Sequence, residues 1–226
     1  MLIIATSDLH EEWCTNQNKQ MASKIVHKSP DAIMLLGDIC SSVEGFRRCL
    51  SYYEKAKCPV YVTTGNHDMW MFDYLTNELN IPIIRTTVQF KLNNTSFFIG
   101  HGDGLGPGDY FYKGLKIVFA NRFCQWLFAR IHPNLGIGIA HLWSKKSRIS
   151  SNAKEAKRFG EEEWLLQFCK EEEEKEHHDY YIFGHRHVPM ELEVAKNSLY
   201  INLGEWVNYC TYAEFDGTAV SLKEFK

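Results

Sequence analysis

A layered α/β fold is what this chain predicts, on three observations. Five short apolar runs each stop at a polar or glycine-containing point. They are Leu2–Ala5 before Ser7-Asp8, Ile33–Leu36 before Gly37-Asp38, Val60–Val62 before Gly65-Asn66, Phe97–Ile99 before Gly100-His101, and Tyr180–Phe183 before Gly184-His185. Continuous apolar runs of this length read as buried strands. Stretches of helical character such as Gly45–Lys57 lie between the early runs, and strands alternating with helices build a layered sheet. Finally, 226 residues, 45% of them hydrophobic, suit one domain with a real core and room for an insertion.

The tail adds Leu199–Leu203 and Tyr209–Phe215 as strands, then Asp216-Gly217 as a hairpin signal, then Thr218–Leu222. The interior is less regular. His101 and His185 stand 84 positions apart, far beyond an ordinary connection. Residues 105–155 read as an inserted helical lid, and 1–104 with 156–226 as the core. Helical spacing shows in Phe111, Leu115, Val118 and Phe119, and again in Phe123, Trp126, Leu127 and Arg130. A further helix, about Phe159 to Glu176, buries Trp164, Leu165, Phe168 and Cys169. Its glutamates, Glu161 to Glu163 and Glu171 to Glu174, read as a solvated face.

Composition narrows the function. Net charge is only −3 and gives no reason to expect nucleic acid. The seven cysteines form no C-x-x-C pair and are odd in number, which suits a reducing compartment better than a disulfide framework. "MLIIATSDLH" lacks the basic and long apolar regions of a signal peptide, and no run of 18 apolar residues exists. A cytoplasmic location is expected. Charge is nonetheless uneven. Tyr110 to Lys154 holds eight basic residues and no acid, so the remainder carries 17 basic against 28 acidic residues.

The strand ends carry the chemistry. They hold Asp8 and His10, Asp38, Asn66-His67-Asp68, His101 and Asp103, and His185 and His187. In open α/β sheets ligands bind at the carboxyl ends of strands. Carboxylate, amide oxygen and neutral imidazole, with no thiolate, suit divalent Mn, Fe or Zn. Alternate residues of an extended segment point the same way, so Asp8 with His10, and His185 with His187, are each expected to aim at one site. Asp8, His10, Asp38, Asn66, His101, His185 and His187 make seven ligands. That is too many for one zinc with an open position and right for two metals sharing a carboxylate.

D-x-H, G-D, G-N-H-D, G-H-G-D and G-H-x-H, in this order from Asp8 to His187, resemble the calcineurin-like metallophosphoesterases. The resemblance implies a four-layer αββα sandwich and a metal-dependent hydrolase. It places one metal on Asp8, His10, Asp38 and His187 and the other on Asp38, Asn66, His101 and His185, with Asp38 bridging. It makes His67 the residue that contacts or protonates phosphate oxygens, with Asn66 and His185 also facing substrate. Asp68 is expected to orient His67 through a ring N–H. Manganese is the expected metal, with iron and zinc suiting the same donors.

The second half is similar to a narrower family, the UDP-2,3-diacylglucosamine pyrophosphatases of lipid A synthesis. "HGDGLGPGDYFYKGLK" resembles that family's segment after the metal histidine, and "NLGEW" resembles its L-G-D-W with Glu205 for Asp. The lid and "WSKKSRISSN" match in kind. This implies substrate contacts at Asp109, Ser144, Lys146 and Arg148. It implies hydrolysis at the α-phosphorus of UDP-diacylglucosamine to UMP and an acylated glucosamine 1-phosphate. Eight aromatic residues between Tyr110 and Trp143 would hold acyl chains, and the basic residues would meet the cytoplasmic face of the inner membrane. No nucleic acid and no obligate protein partner are expected. Two features depart from that family: His67 stands where many of its members have Arg, and "GDICSS" lacks acidic and aromatic residues. The alternatives are a phosphodiesterase or phosphatase acting on another lipid-linked or soluble ester, and a non-catalytic metal-binding scaffold.

Overall fold

Alternation of side chains along short strands decides the layers. In the computed structural model, residues 1–69, 77, 83–84, 87–107, 110–128, 130–132, 135, 138 and 163–225 are described. The strands are β1 (Ile3–Thr6), β2 (Ala32–Leu36), β3 (Val60–Thr63), β4 (Ile83–Ile84), β5 (Val88–Leu92), β6 (Thr95–Ile99), β7 (Tyr180–Phe183), β8 (Pro189–Ala195), β9 (Ser198–Leu203), β10 (Thr211–Phe215) and β11 (Val220–Glu224). The helices are α1 (Glu11–His27), α2 (Val43–Ser51), α3 (Tyr110–Ala120), α4 (Arg122–Phe128) and α5 (Trp164–Glu173).

One sheet runs β11-β10-β1-β2-β3-β4 and the other β5-β6-β7-β9-β8. The pairs β1–β2, β2–β3 and β3–β4 are parallel, as are β6–β7 and β7–β9. Antiparallel strands close one margin of the first sheet, β10 and β11, and both margins of the second, β5 and β8. On β1 and β2, Ile4, Ile33 and Leu35 turn toward Met21 and Ile25 of α1 and Phe46 and Cys49 of α2. Their neighbours Ala5 and Leu36 turn the other way, onto Phe97, Ile99, Ile182 and Ile201 of the second sheet. The far face of that sheet carries Phe98, Tyr181, Phe183 and Tyr200. The last turn of α5 closes it, where Glu173 accepts from the Tyr181 hydroxyl at 3.0 Å and the His178 amide at 3.0 Å. The order is α–β–β–α, four layers. Each large side chain buried in these layers contributes about 1.5–3 kcal/mol.

The expected strands appear within one or two residues of their predicted ends. Three more, β4, β5 and β8, went unread. β5 and β8 are edge strands with half-exposed alternation, and Pro189 opens β8, a position where the missing amide costs no ladder bond. The solvated glutamate face holds at Glu171 and Glu174, which are exposed, and fails at two other positions. Glu163 is fully buried, and Glu173 is the hydrogen-bond acceptor just described. Residues 161 and 162 lie outside the described residues.

The chain divides into two compact units, Met1–Asp103 with Cys169–Lys226, and Gly104–Phe168. In the second, α3 and α4 leave Tyr110 80%, Ile117 73% and Phe123 65% exposed. Asn121 caps α4, its side-chain oxygen accepting from the amides of Phe123 and Cys124 at 2.9 and 3.2 Å. Arg130 lies 3.5 Å from the centre of the Trp126 ring. No described helix is long and apolar enough to cross a membrane.

Candidate metal centre

β1, β2, β6 and β7 stop two residues before their first candidate ligand and β3 stops three before Asn66, and after β1, β2 and β7 the backbone turns sharply. Asp8, His10, Asp38, His185 and His187 have φ of 52°, 42°, 52°, 68° and 57°. A non-glycine residue pays for the left-handed region, and such conformations gather at functional sites. Asp8 with His10, and His185 with His187, are therefore not alternate positions of an extended strand. They converge because each ligand sits on its own left-handed turn.

Neighbouring loops hold these turns. The amides of Asp8, His10 and Glu11 donate to the carbonyls of Gly37, Asp38 and Ile39 at 3.1, 3.1 and 2.9 Å. Asp8 Oδ2 accepts from the Ser7 hydroxyl at 2.6 Å and from the His185 amide at 2.9 Å. Asn202 Nδ2 donates to the Gly184 carbonyl at 2.5 Å. Gly184 itself must lack a side chain: a Cβ there would lie 1.8 Å from Ser7 Oγ and 2.4 Å from Asp8 Oδ2. At Gly65 a Cβ would lie 2.2 Å from Asp38 Oδ1 and 2.7 Å from His101 Nε2.

One close group of donors results, with His101, Asn66 and His185 near it. Asp8, His10, Asp38 and His187 each bring one donor atom within 4.8 Å of the others. His187 Nε2 lies 3.1 Å from Asp8 Oδ1. His101 Nε2 is 3.4 Å from Asp38 Oδ2 and 3.4 Å from Asn66 Oδ1. The His185 ring lies 5.2 Å from that of His101, centre to centre.

Burial and charge make this cluster fit cations. Asp8 Oδ1, Asp38 Oδ2 and both ring nitrogens of His10 are buried with no hydrogen-bond partner. A buried polar atom left this way costs about 1–3 kcal/mol, and atoms of this kind fit a divalent cation. Burial lowers the His10 ring, favouring the neutral, ligating form. It likewise lowers His185, to about 4, aided by the charge of His101. Burial works to raise Asp8, but His101 and His187 overcome it and hold the carboxyl at about 2. Asp38 is likewise held well below its usual range despite burial, first by His101 and then by His67. Burial works to lower His101, but Asp38 and Asp8 raise it well above the usual histidine range. Ionised Asp8 and Asp38 beside neutral His10 and His185 are donors that suit a divalent cation.

His67 lies beside it, Nε2 3.9 Å from Asp38 Oδ2, with its amide donating to Asp38 Oδ1 at 2.8 Å. Asp68 does not occupy the position behind the ring that sequence suggested. Its fully buried carboxylate accepts from the amides of Ile39 (2.8 Å) and Gly65 (2.6 Å), tying the loops after β2 and β3 together. The partner of His67 Nδ1 is the Ser41 hydroxyl, at 3.0 Å. Sequence reasoning passed over Ser41, Glu12 and Asn202. The signal available was position: Ser41 follows Asp38 by three, and Glu12 follows His10 by two. Asp109, Ser144, Lys146 and Arg148 lie outside the described residues.

The comparisons agree with this geometry. A family model described as calcineurin-like phosphoesterase matches residues 1–189. The chain is 31% identical over 182 residues to a UDP-2,3-diacylglucosamine hydrolase of Porphyromonas gingivalis, covering 74% of this chain and 69% of that one. It is 24% identical over 168 residues to a protein of the same name from Shewanella pealeana, with the same coverage. Among solved structures, the phosphoesterase YfcE from E. coli superposes with a TM-score of 0.52 at 14% identity, over 98% of this chain and 91% of that chain. With a matched family model over most of its length, the chain belongs to the calcineurin-like phosphoesterases, hydrolases of phosphoester or diphosphate bonds that use divalent metal ions.

Proposed function

We propose that this protein hydrolyses the pyrophosphate of UDP-2,3-diacylglucosamine at the α-phosphorus, giving UMP and 2,3-diacylglucosamine 1-phosphate. The observation that carries a hydrolytic role is the donor group Asp8, His10, Asp38 and His187, in which four buried donor atoms have no hydrogen-bond partner. The substrate follows from the relatives named UDP-2,3-diacylglucosamine hydrolase. Two divalent cations there, manganese by expectation, would supply Lewis-acid activation of water and charge neutralisation at phosphorus. Asp8, His10, Asp38 and His187 would hold one; Asp38, Asn66, His101 and His185 the other. Water oxygen bonds to the α-phosphorus, the bond from that phosphorus to the bridging oxygen breaks, and the sugar phosphate leaves. His67, with Nε2 toward the centre, contacts the phosphate oxygens and offers a proton to the departing oxygen.

The segment 105–155 serves as a lid that takes the acyl chains and meets the cytoplasmic face of the inner membrane. Its support is the exposed Tyr110, Ile117, Phe123 and Trp126 beside Lys113, Lys116, Arg122 and Arg130, a combination suited to an anionic lipid surface. A second reading, a phosphodiesterase or phosphatase acting on another ester, is favoured by His67 and by a "GDICSS" segment without acidic or aromatic residues beyond its Asp38. The manganese-reconstituted protein, offered UDP-2,3-diacylglucosamine and bis(p-nitrophenyl) phosphate side by side, separates the two. Fast UMP release with weak diester cleavage is expected. Diester cleavage without UMP leaves the second reading.

A further inference from the structure

We propose that Glu12 and Ser41 form a relay behind His67 that holds its ring in one tautomer, with the Nδ1 proton spent on Ser41 and Nε2 left for the phosphate. The inference rests on the reading of His67 as the group facing phosphate.

The geometry is a chain of three side chains. Ser41 Oγ lies 3.0 Å from His67 Nδ1 and 2.9 Å from Glu12 Oε1. A second contact, Ser41 N to Glu12 Oε2 at 3.4 Å, holds the carboxylate over the Ser41 backbone. The proton count then leaves one arrangement. An ionised carboxylate only accepts, and a hydroxyl has one proton to give. Ser41 therefore donates to Glu12, and its oxygen accepts from His67 Nδ1–H. Nε2 is the other ring nitrogen, and it lies on the Asp38 side of the ring, 3.9 Å from Oδ2. Neutral His67 offers a lone pair there and protonated His67 offers an N–H. In both states the Nδ1 proton stays with Ser41.

This is the logic of a carboxylate behind a catalytic imidazole, with a hydroxyl inserted between the two. It assigns the role to Ser41 and Glu12, which meet the ring side of His67, and not to Asp68, whose oxygens accept from the amides of Ile39 and Gly65. A competing assignment exists on the same residues. Donor atoms of His10, Glu12 and His67 also lie within 4.8 Å of one another, so Glu12 could instead be a metal ligand. Positioning and ligation differ in what they move.

The test uses the full chain loaded with metal. With ¹⁵N-labelled histidine and zinc, the His67 signals, assigned by their loss in His67→Gln, should report an Nδ1–H tautomer. An Nε2–H tautomer overturns the relay without any variant. Glu12→Gln and Ser41→Ala should keep the wild-type metal content and lower kcat on bis(p-nitrophenyl) phosphate about 10–100-fold, with KM little changed. Ser41→Thr, which keeps the hydroxyl, should recover most of the rate. On a His67→Ala background, Glu12→Gln and Ser41→Ala should cost nothing further. Loss of metal in Glu12→Gln, unchanged kcat in both variants, additive losses on the His67→Ala background, or wild-type turnover by His67→Ala each overturns the proposal. Failure to release UMP while the diester is cleaved removes only the lipid substrate, since the tautomer and the variant cycle are read on the diester.

Discussion

The His101 ring is anchored on the backbone of Leu36, its Nδ1 2.9 Å from that carbonyl oxygen. A carbonyl only accepts, so Nδ1 carries the proton and Nε2 is the nitrogen turned to Asp38 and Asn66. Leu36 is the last residue of β2 and Asp38 follows two residues later. One strand end thus orients both a carboxylate and the histidine from the neighbouring sheet. This is how a site assembled from five loops holds its donors before any ion arrives.

Because Gly184 lies against Ser7 and Asp8, adding one methyl should act on both stability and metal. Gly184→Ala must displace the Ser7 hydroxyl and the Asp8 carboxylate. Overpacking of this kind costs about 1–3 kcal/mol. Thermal denaturation should show a lower midpoint, and elemental analysis should show less than the wild-type metal content. A variant with both unchanged would mean that the turn can shift without cost.

Asp38 and His67 should separate metal binding from rate. Asp38→Ala removes the donor shared by both groups and should abolish nearly all hydrolysis along with metal retention. His67→Ala should retain metal but lose about 10²–10⁴-fold in kcat. Elemental analysis and turnover on the same preparations check both outcomes.

Chelation should destabilise the fold as well as stop turnover. The ligand loops carry five left-handed residues and four unpartnered buried donor atoms, and bound cations compensate that strain by mass action. A chelator should lower the denaturation midpoint, and readded manganese should restore it.

An acid-sensitive contact lies far along the same sheet. Lys28 and Lys223 both bond to Glu214. Burial works to raise that carboxyl, but bonds from Lys223 and Lys28 lower it below the ordinary 4.5. The unfolded state therefore binds the proton more readily, and the contribution is full above about pH 5 and fades as pH falls through the depressed value. Solvent reaches both lysines, so the contribution is about 1 kcal/mol. Glu214→Gln should be less stable than wild type at pH 7, and the two denaturation curves should converge toward pH 3.

The apolar face of α3 and α4 yields the last prediction. Trp126→Ala and Arg130→Glu should weaken sedimentation with anionic phospholipid vesicles, Arg130→Glu the more so at low salt. Unchanged sedimentation in both would exclude this face as a membrane contact.

By itself the sequence determined the strands that feed the site and the candidate donors at their ends. An apolar run that breaks into glycine beside Asp, His or Asn is a local pattern, so Asp38, His101 and His185 were readable without neighbours. It also pointed to α3 and α4, through apolar spacing in a stretch without acids. The tertiary structure alone decided the rest, since contacts between residues distant in sequence leave no periodic trace. The Ser41 hydroxyl meets His67 across 26 positions and Glu12 across 29. Asp68 clamps Ile39 rather than His67, and Glu173 is drawn inward by Tyr181. The aim of Asp8, His10, His185 and His187 was settled by left-handed turns, which neighbouring loops impose on residues that would not choose them.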